Sequence, residues 1–318
     1  MSNPYSTISV LALFGKSKNK ILCSDAAGNA SIYNTELRSL IAIPKLNSPK
    51  DSYSVAVSIP DATTNGRSDF SNHTDNLYIM DMDRTRSFCF EVLSYDPVGS
   101  WCWDPLPQPP FLKEPEFEGP LKARFTVVES TKICVSTTKA TYYFDTVTRE
   151  WNKVGDWVLP FIAEYAPELG LWLGLSSDGS PYDLCTLDNL STAVGSSPPM
   201  VQHIGMEFEL PDNWWQITCN LVNLGSLRFC IVSSFMVDND QDEYDAVPVT
   251  VLTGVEVLPS EPGLRMVKHK SMKLTYTRLV LLGHQLVVIV ASCGPWLQLI
   301  SSSCSRVQML VLIDEKVS

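Results

Sequence analysis

Apolar positions along the chain fall into short runs of about four to eight residues, each bounded by Gly, Asp, Asn or Pro. ISVLALF, KILCSDA, SVAVSIP, NLYIMDM, FEVLSYD, ARFTVVE, KICVSTT, TYYFDTV, LWLGLSS, LRFCIVSS and VPVTVLTGVEVL are such runs. They are rich in β-branched and aromatic residues, which pack well on a pleated surface. Almost none has the i, i+3, i+4 spacing of an amphipathic helix. The pattern predicts an all-β chain.

One unit of this pattern repeats. SYDPVGSWCWDPLPQPPF (94–111) aligns with YFDTVTREWNKVGDWVLPF (143–161). Each has an aromatic residue, an Asp (Asp96, Asp145), a polar turn, Trp, and an apolar exit with Pro. Trp101 and Trp103 bracket the position that Trp151 holds in the second copy. A weaker copy runs over 171–189 with Asp188 in the Asp position, and a weaker one still over 29–44, where Asn34 stands for it. The stronger copies recur at about 43 to 49 residues, the period of a four-stranded propeller blade.

The chemistry of the unit accounts for its composition. The Asp is expected to cap a tight turn by accepting from backbone N–H groups. The Trp is expected to wedge between neighbouring sheets, and the Pro to end an outer strand that can donate to no further ladder.

These residues resemble the Kelch-type repeat. More specifically, the chain is similar to a plant family expanded in grasses and known as domain of unknown function 1668. NLYIMDMD (76–83), FCFEVLSYDP with WCWDPLPQPPF, ICVSTTKATYYFDTVTREWNKVGDWVLPF and ELGLWLGLSSDGSPYDLCTLD carry the resemblance, which extends to Lys270. It implies a Kelch-like β-propeller of about five to six four-stranded blades, with ring closure left open. It carries over no site residues, because the family has no agreed function.

The resemblance divides the chain into a Kelch-like region at 1–270 and an atypical hydrophobic segment at 271–318. That segment has no Asp, Glu, Lys or Arg from Leu279 to Ser305. A terminal blade, a membrane span and an aberrant tail are three readings of it. His284, Gln285, Gly294 and Pro295 interrupt the apolar run and argue against the span.

Charge narrows the partners. The 24 basic and 35 acidic residues leave a net −11 with no dense Lys/Arg stripe, so a nucleic-acid partner is not expected. The nine cysteines lack any Cys-x-x-Cys pair and read as reduced thiols of an intracellular protein, cytoplasmic and/or nuclear. The basic residues near the N-terminus follow the first apolar run, the wrong order for a secretory signal. Lys16, Lys18 and Lys20 make a weak nuclear-import patch.

Candidate chemistry is sparse. No catalytic, metal or cofactor-binding set is expected: there is no Gly-x-Ser-x-Gly, no phosphate-binding glycine loop and no metal-ligand spacing. The acidic run from Val237 to Asp245 puts Glu243 and Val249 where a calcium loop needs Gly and Glu, and reads as a solvated loop. Asp81 and Asp83 read as turn caps neutralised by Arg84 or Arg86. Trp214 and Trp215, adjacent on a strand, point to opposite faces, so one can be core while the other meets a partner. The blander reading buries both. By analogy with Kelch-like propellers, the resemblance implies a non-catalytic protein-interaction module binding another protein, with a propeller-fold hydrolase or lyase using a central pocket as the alternative.

Overall fold

Each apolar run becomes a strand. The computed structural model describes residues 8–15, 19–51, 54–60, 75–96, 99–115, 117, 124–176, 183–205, 211–238, 246–261, 263–275, 277–282 and 285–290. The first sheet holds β1 (Ile8–Phe14), β2 (Lys20–Asp25), β3 (Ala30–Asn34) and β4 (Ser39–Ile43). The second holds β5 (Val55–Pro60), β6 (Asp75–Met80), β7 (Phe90–Tyr95) and β8 (Trp101–Pro105). The third holds β9 (Arg124–Val128), β10 (Lys132–Ser136), β11 (Thr141–Asp145) and β12 (Glu150–Gly155).

The fourth sheet is β13 (Ala163–Ala166), β14 (Leu171–Leu175), β15 (Leu184–Asp188) and β16 (Met200–His203). The fifth is β17 (Trp214–Gly225), β18 (Arg228–Val237), β19 (Val247–Ser260) and β20 (Gly263–Thr275). In each, four strands pair antiparallel in chain order, so every connection within a sheet is a hairpin. A two-stranded sheet of β21 (Thr277–Leu282) and β22 (Gln285–Val290) follows. The fold is an all-β, five-blade β-propeller.

The chain forms two compact units. One contains Met1–Leu159 and Ser191–Pro198, hence the first three sheets; the other contains Pro160–Leu190 and Pro199–Val280, hence the fourth and fifth. Residues 239–245 of the acidic run, Lys16, Lys18, and residues 291–318 lie outside the described residues. Strand β20 continues past Lys270 to Thr275.

In the first unit, burial is graded across each sheet. Four of the five positions of β10 are buried, so both of its faces lie in the core. Strand β4, at an outer edge, has no buried position. Val10, Leu22, Ile32, Leu77, Ile79, Leu93, Trp101 and Trp103 join one apolar cluster between the first two sheets. Each such side chain contributes about 1.5–3 kcal/mol by leaving water.

The turns repeat as well. Asp145 Oδ1 accepts from the N–H groups of Val147 and Thr148, and Asn34 Oδ1 accepts from Glu36 and Leu37. Both four-residue loops then close through an arginine in left-handed backbone, Arg38 at φ 50° and Arg149 at φ 59°.

The second unit packs Leu173, Leu184, Phe229, Ile231, Val255 and Val257 into its own cluster. Gly174 is required there: a Cβ would lie 2.1 Å from the Phe161 ring and 2.4 Å from the Ile162 carbonyl. The β17–β18 hairpin turns through Ser226 and Leu227, both at positive φ, which matches the twist of the flanking strands.

Candidate functional site

Three tryptophans on or beside last strands are tied by their indole N–H groups to connecting segments: Trp103 and Trp151 to segments between sheets, Trp157 to the β15–β16 connection. Trp103 on β8 donates its indole N–H to the Pro44 carbonyl at 2.9 Å, just past β4. Trp151 on β12 donates to the Pro107 carbonyl at 2.9 Å, just past β8. Trp157 donates to the Ser196 carbonyl at 2.8 Å. Between Trp101 and Trp103, it is therefore Trp103 that makes the contact Trp151 makes one sheet later. Trp101 instead meets Phe14 and Tyr95 edge-on. Asp96 Oδ1 accepts from the Ser100 N–H at 3.0 Å, closing the β7–β8 turn.

Trp151 is held by a ring of phenylalanines. Phe90, Phe111 and Phe144 lie with centroids 5.6, 5.9 and 5.2 Å from its ring. Phe111 comes from the 3-10 turn Pro110–Lys113, which is anchored by buried Phe111 and Leu112. The outer side of the half-buried indole forms one wall of an open recess of about 510 Å³. Pro107, Gln108 and Pro110 form another wall, and Lys113, Arg149 and Glu150 its charged rim. Neither the Lys113 ammonium nor the Arg149 guanidinium has a hydrogen-bond or ion-pair partner among the described residues.

Buried charge in the same unit is arranged differently. Lys50 and Glu91 form an ion pair with no solvent exposure of either side chain. The Lys50 ammonium also donates to the carbonyls of Ser48 at 2.8 Å and Phe88 at 2.9 Å, so all three of its protons are engaged. Glu91 Oε2 accepts from the backbone and side-chain amides of Asn47. Nearby, buried Asp81 pairs with Arg86 at 3.2 Å and accepts from the N–H groups of Asp83 and Asp51. Burial, with Asp51 adding to it, pushes the Asp81 carboxyl up to about 6 against the pull of Arg86. Arg86 also pairs with Asp83 at 3.2 Å, so Arg86 and not Arg84 bridges the two aspartates.

This network straps the segment between the first two sheets onto the β6–β7 hairpin. Lys50, Glu91 and Asp81 are paired and closed to water, while Arg86 and Asp83 are partly exposed, an arrangement that suits a strut. Sequence reading passed over Lys50 and Glu91. The signal was present: Glu91 interrupts the apolar run FCFEVL, where an unpaired charge could not be buried.

A family model described as "Protein of unknown function (DUF1668)" matches residues 1–275. The chain belongs to that family. No curated protein sequence matches it. Among solved structures, it is similar to the dipeptidyl peptidase 4 of Porphyromonas gingivalis at 9% identity and TM-score 0.34, covering 91% of this chain and 44% of that one. Kluyveromyces lactis Hsv2 is similar at 11% identity and TM-score 0.31, over 84% of this chain and 99% of its own. BamB from Moraxella catarrhalis is similar at 10% and 0.28, over 85% and 87%. The chain spans less than half the length of the peptidase, and likeness at these scores carries no argument about activity.

In this DUF1668 chain a thiol, an imidazole and a carboxylate do meet. Cys185 Sγ lies 3.3 Å from His203 Nδ1, and Asp183 Oδ2 lies 3.5 Å from the same nitrogen. A nucleophile relay needs the carboxylate and the thiol on different ring nitrogens, with the thiol open to substrate. Here both fall on Nδ1, and Cys185 is fully buried. Among the described residues, no group of three or more His, Cys, Asp or Glu could hold a metal ion. Among them also, no helix is long and apolar enough to cross a membrane.

The remaining sequence candidates are dispersed. Asp188 ends β15 before a long loop, and its Oδ1 is buried without a hydrogen-bond partner among the described residues. Trp214 is partly buried, packs edge-on against Phe235 at 5.1 Å and carries Lys273 over its face at 4.8 Å. Trp215, on the same strand, is 52% exposed. Neither belongs to the unit that contains Trp151 and the recess.

Proposed function

We propose that this chain is a non-catalytic protein-interaction module of a plant cell, built on Kelch-like blades and working in the cytoplasm and/or nucleus. The observation that supports this most is the distribution of polar groups in the first unit. Its buried charges satisfy one another, while its unpartnered cations stand beside a held tryptophan on the rim of an open recess. A protein surface can use such an arrangement through many modest contacts. The net charge of −11 argues for a protein partner over nucleic acid.

Affinity capture from plant extract tests the reading, with the chain ended after Thr275, which keeps β20 whole, run beside the full chain. A specific protein retained by both forms is the expected result. Retention of none, or turnover of substrate esters, peptides or glycosides by the pure chain, would overturn it.

A further inference from the structure

We propose that the Trp151 recess takes an extended acidic segment of a partner protein, which lays an apolar side chain on the indole and sets carboxylates on Arg149 and Lys113. The inference rests on the interaction-module reading and names the chemistry of the partner.

The platform is fixed before binding. The indole N–H of Trp151 is engaged by the Pro107 carbonyl, and three phenylalanines pack around the ring. Little conformational freedom is lost when an apolar side chain covers the outer side, so the contact favours binding more than a mobile aromatic would. Pro107 and Pro110 add apolar wall that offers no N–H donor. An extended segment, with its side chains splayed, suits an open concavity better than a compact ligand does.

The cations select charge. Arg149 and Lys113 are exposed and unpartnered among the described residues, in a chain whose net charge is −11. The root of Arg149 is immobilised, because its N–H donates to the Asp145 carbonyl at 2.8 Å and its backbone sits at φ 59°. A guanidinium can meet a carboxylate in bidentate geometry, and the held backbone fixes the point from which this one extends. Glu150 on the same rim repels a uniform polyanion, so a nucleic-acid strand fits less well than a peptide with spaced carboxylates.

The test uses the full chain and three fluorescein-labelled probes: the peptide Glu-Glu-Pro-Leu-Glu-Glu, its counterpart with Lys in place of Glu, and an oligothymidylate. Fluorescence anisotropy should show saturable binding of the acidic peptide alone, weakening as salt rises. The double variant Arg149→Ala/Lys113→Ala should bind at least about tenfold more weakly. Arg149→Glu/Lys113→Glu should prefer the lysine peptide. These positions are exposed, so unchanged melting curves would separate lost binding from lost fold. Equal binding of the acidic and lysine peptides, oligothymidylate binding as tight as the acidic peptide, no binding of any probe, or an unaffected alanine variant would overturn the proposal. If the probes fail while plant extract still yields a specific protein, the partner chemistry is wrong and the interaction-module reading stands.

Discussion

Trp151 and Pro107 are joined across the boundary between the second and third sheets by an indole N–H···O=C bond of 2.9 Å, as Trp103 and Pro44 are across the boundary before it. The repeated Trp thus ties the second and third sheets each to the segment leaving the sheet before it, while the Trp151 ring packs among Phe90, Phe111 and Phe144. Trp151→Ala should lower unfolding stability by about 3 kcal/mol, since the ring is half-buried. Trp151→Phe keeps most of the packing and should cost about 1 kcal/mol, the value of one hydrogen bond. Urea titration measures both; a neutral Trp151→Ala would remove the ring from its structural role.

Lys50 and Glu91 should behave as a coupled pair. Lys50→Met or Glu91→Leu alone leaves a charge buried without its partner and should destabilise by about 3–5 kcal/mol. The double variant should recover much of that loss. A double-mutant cycle that gives additive losses would mean the charges do not act together.

Asp81 should leave a signature in the pH dependence of stability. Its folded-state carboxyl titrates at about 6, above the ordinary 3.8, so the folded chain holds this proton more tightly than the unfolded chain does. Stability contributed by the group is therefore full below about pH 4 and falls as pH rises to about 6, by about 2–3 kcal/mol. The stability of wild type minus that of Asp81→Asn should decline across this window. A difference that rises there would contradict burial as the dominant influence.

Gly174→Ala should destabilise by about 1–3 kcal/mol, because the added methyl meets the Phe161 ring and the Ile162 carbonyl at distances neither can accommodate in place. Thermal melting of the variant checks this. An unchanged melting temperature would show that β14 can move off residues 161–162 at no cost.

The architecture was legible because its signals are local. Alternating β-branched runs and turn residues mark the strands, and Asp145 with Trp151 recurs at blade spacing as Asp96 with Trp103. Even the substitution of Asn34 for Asp could be read, since both side chains offer an oxygen to the same turn N–H groups. The recess was not legible. Pro107, Lys113 and Arg149 are separated in sequence and converge only when the β8 exit, the 3-10 turn and the β11–β12 hairpin pack together. The partner of Glu91 was hidden for the same reason, although the place of Glu91 in the apolar run FCFEVL marked it as a charge in need of one. Trp214 and Trp215, the most conspicuous aromatic pair in the sequence, proved to differ in environment, with one packed on Phe235 and the other half exposed.

Site-specific photocrosslinking tests the central claim most directly. Val147, 67% exposed on the hairpin that carries Arg149, is replaced by benzoylphenylalanine in the full chain and irradiated in plant extract. Val194, 79% exposed elsewhere on the same unit, serves as the control position. The account predicts one discrete crosslinked protein from position 147, absent from position 194 and lost when Arg149→Glu is added. Identical crosslinks from both positions, or a crosslink at 147 that persists with Arg149→Glu, would contradict it.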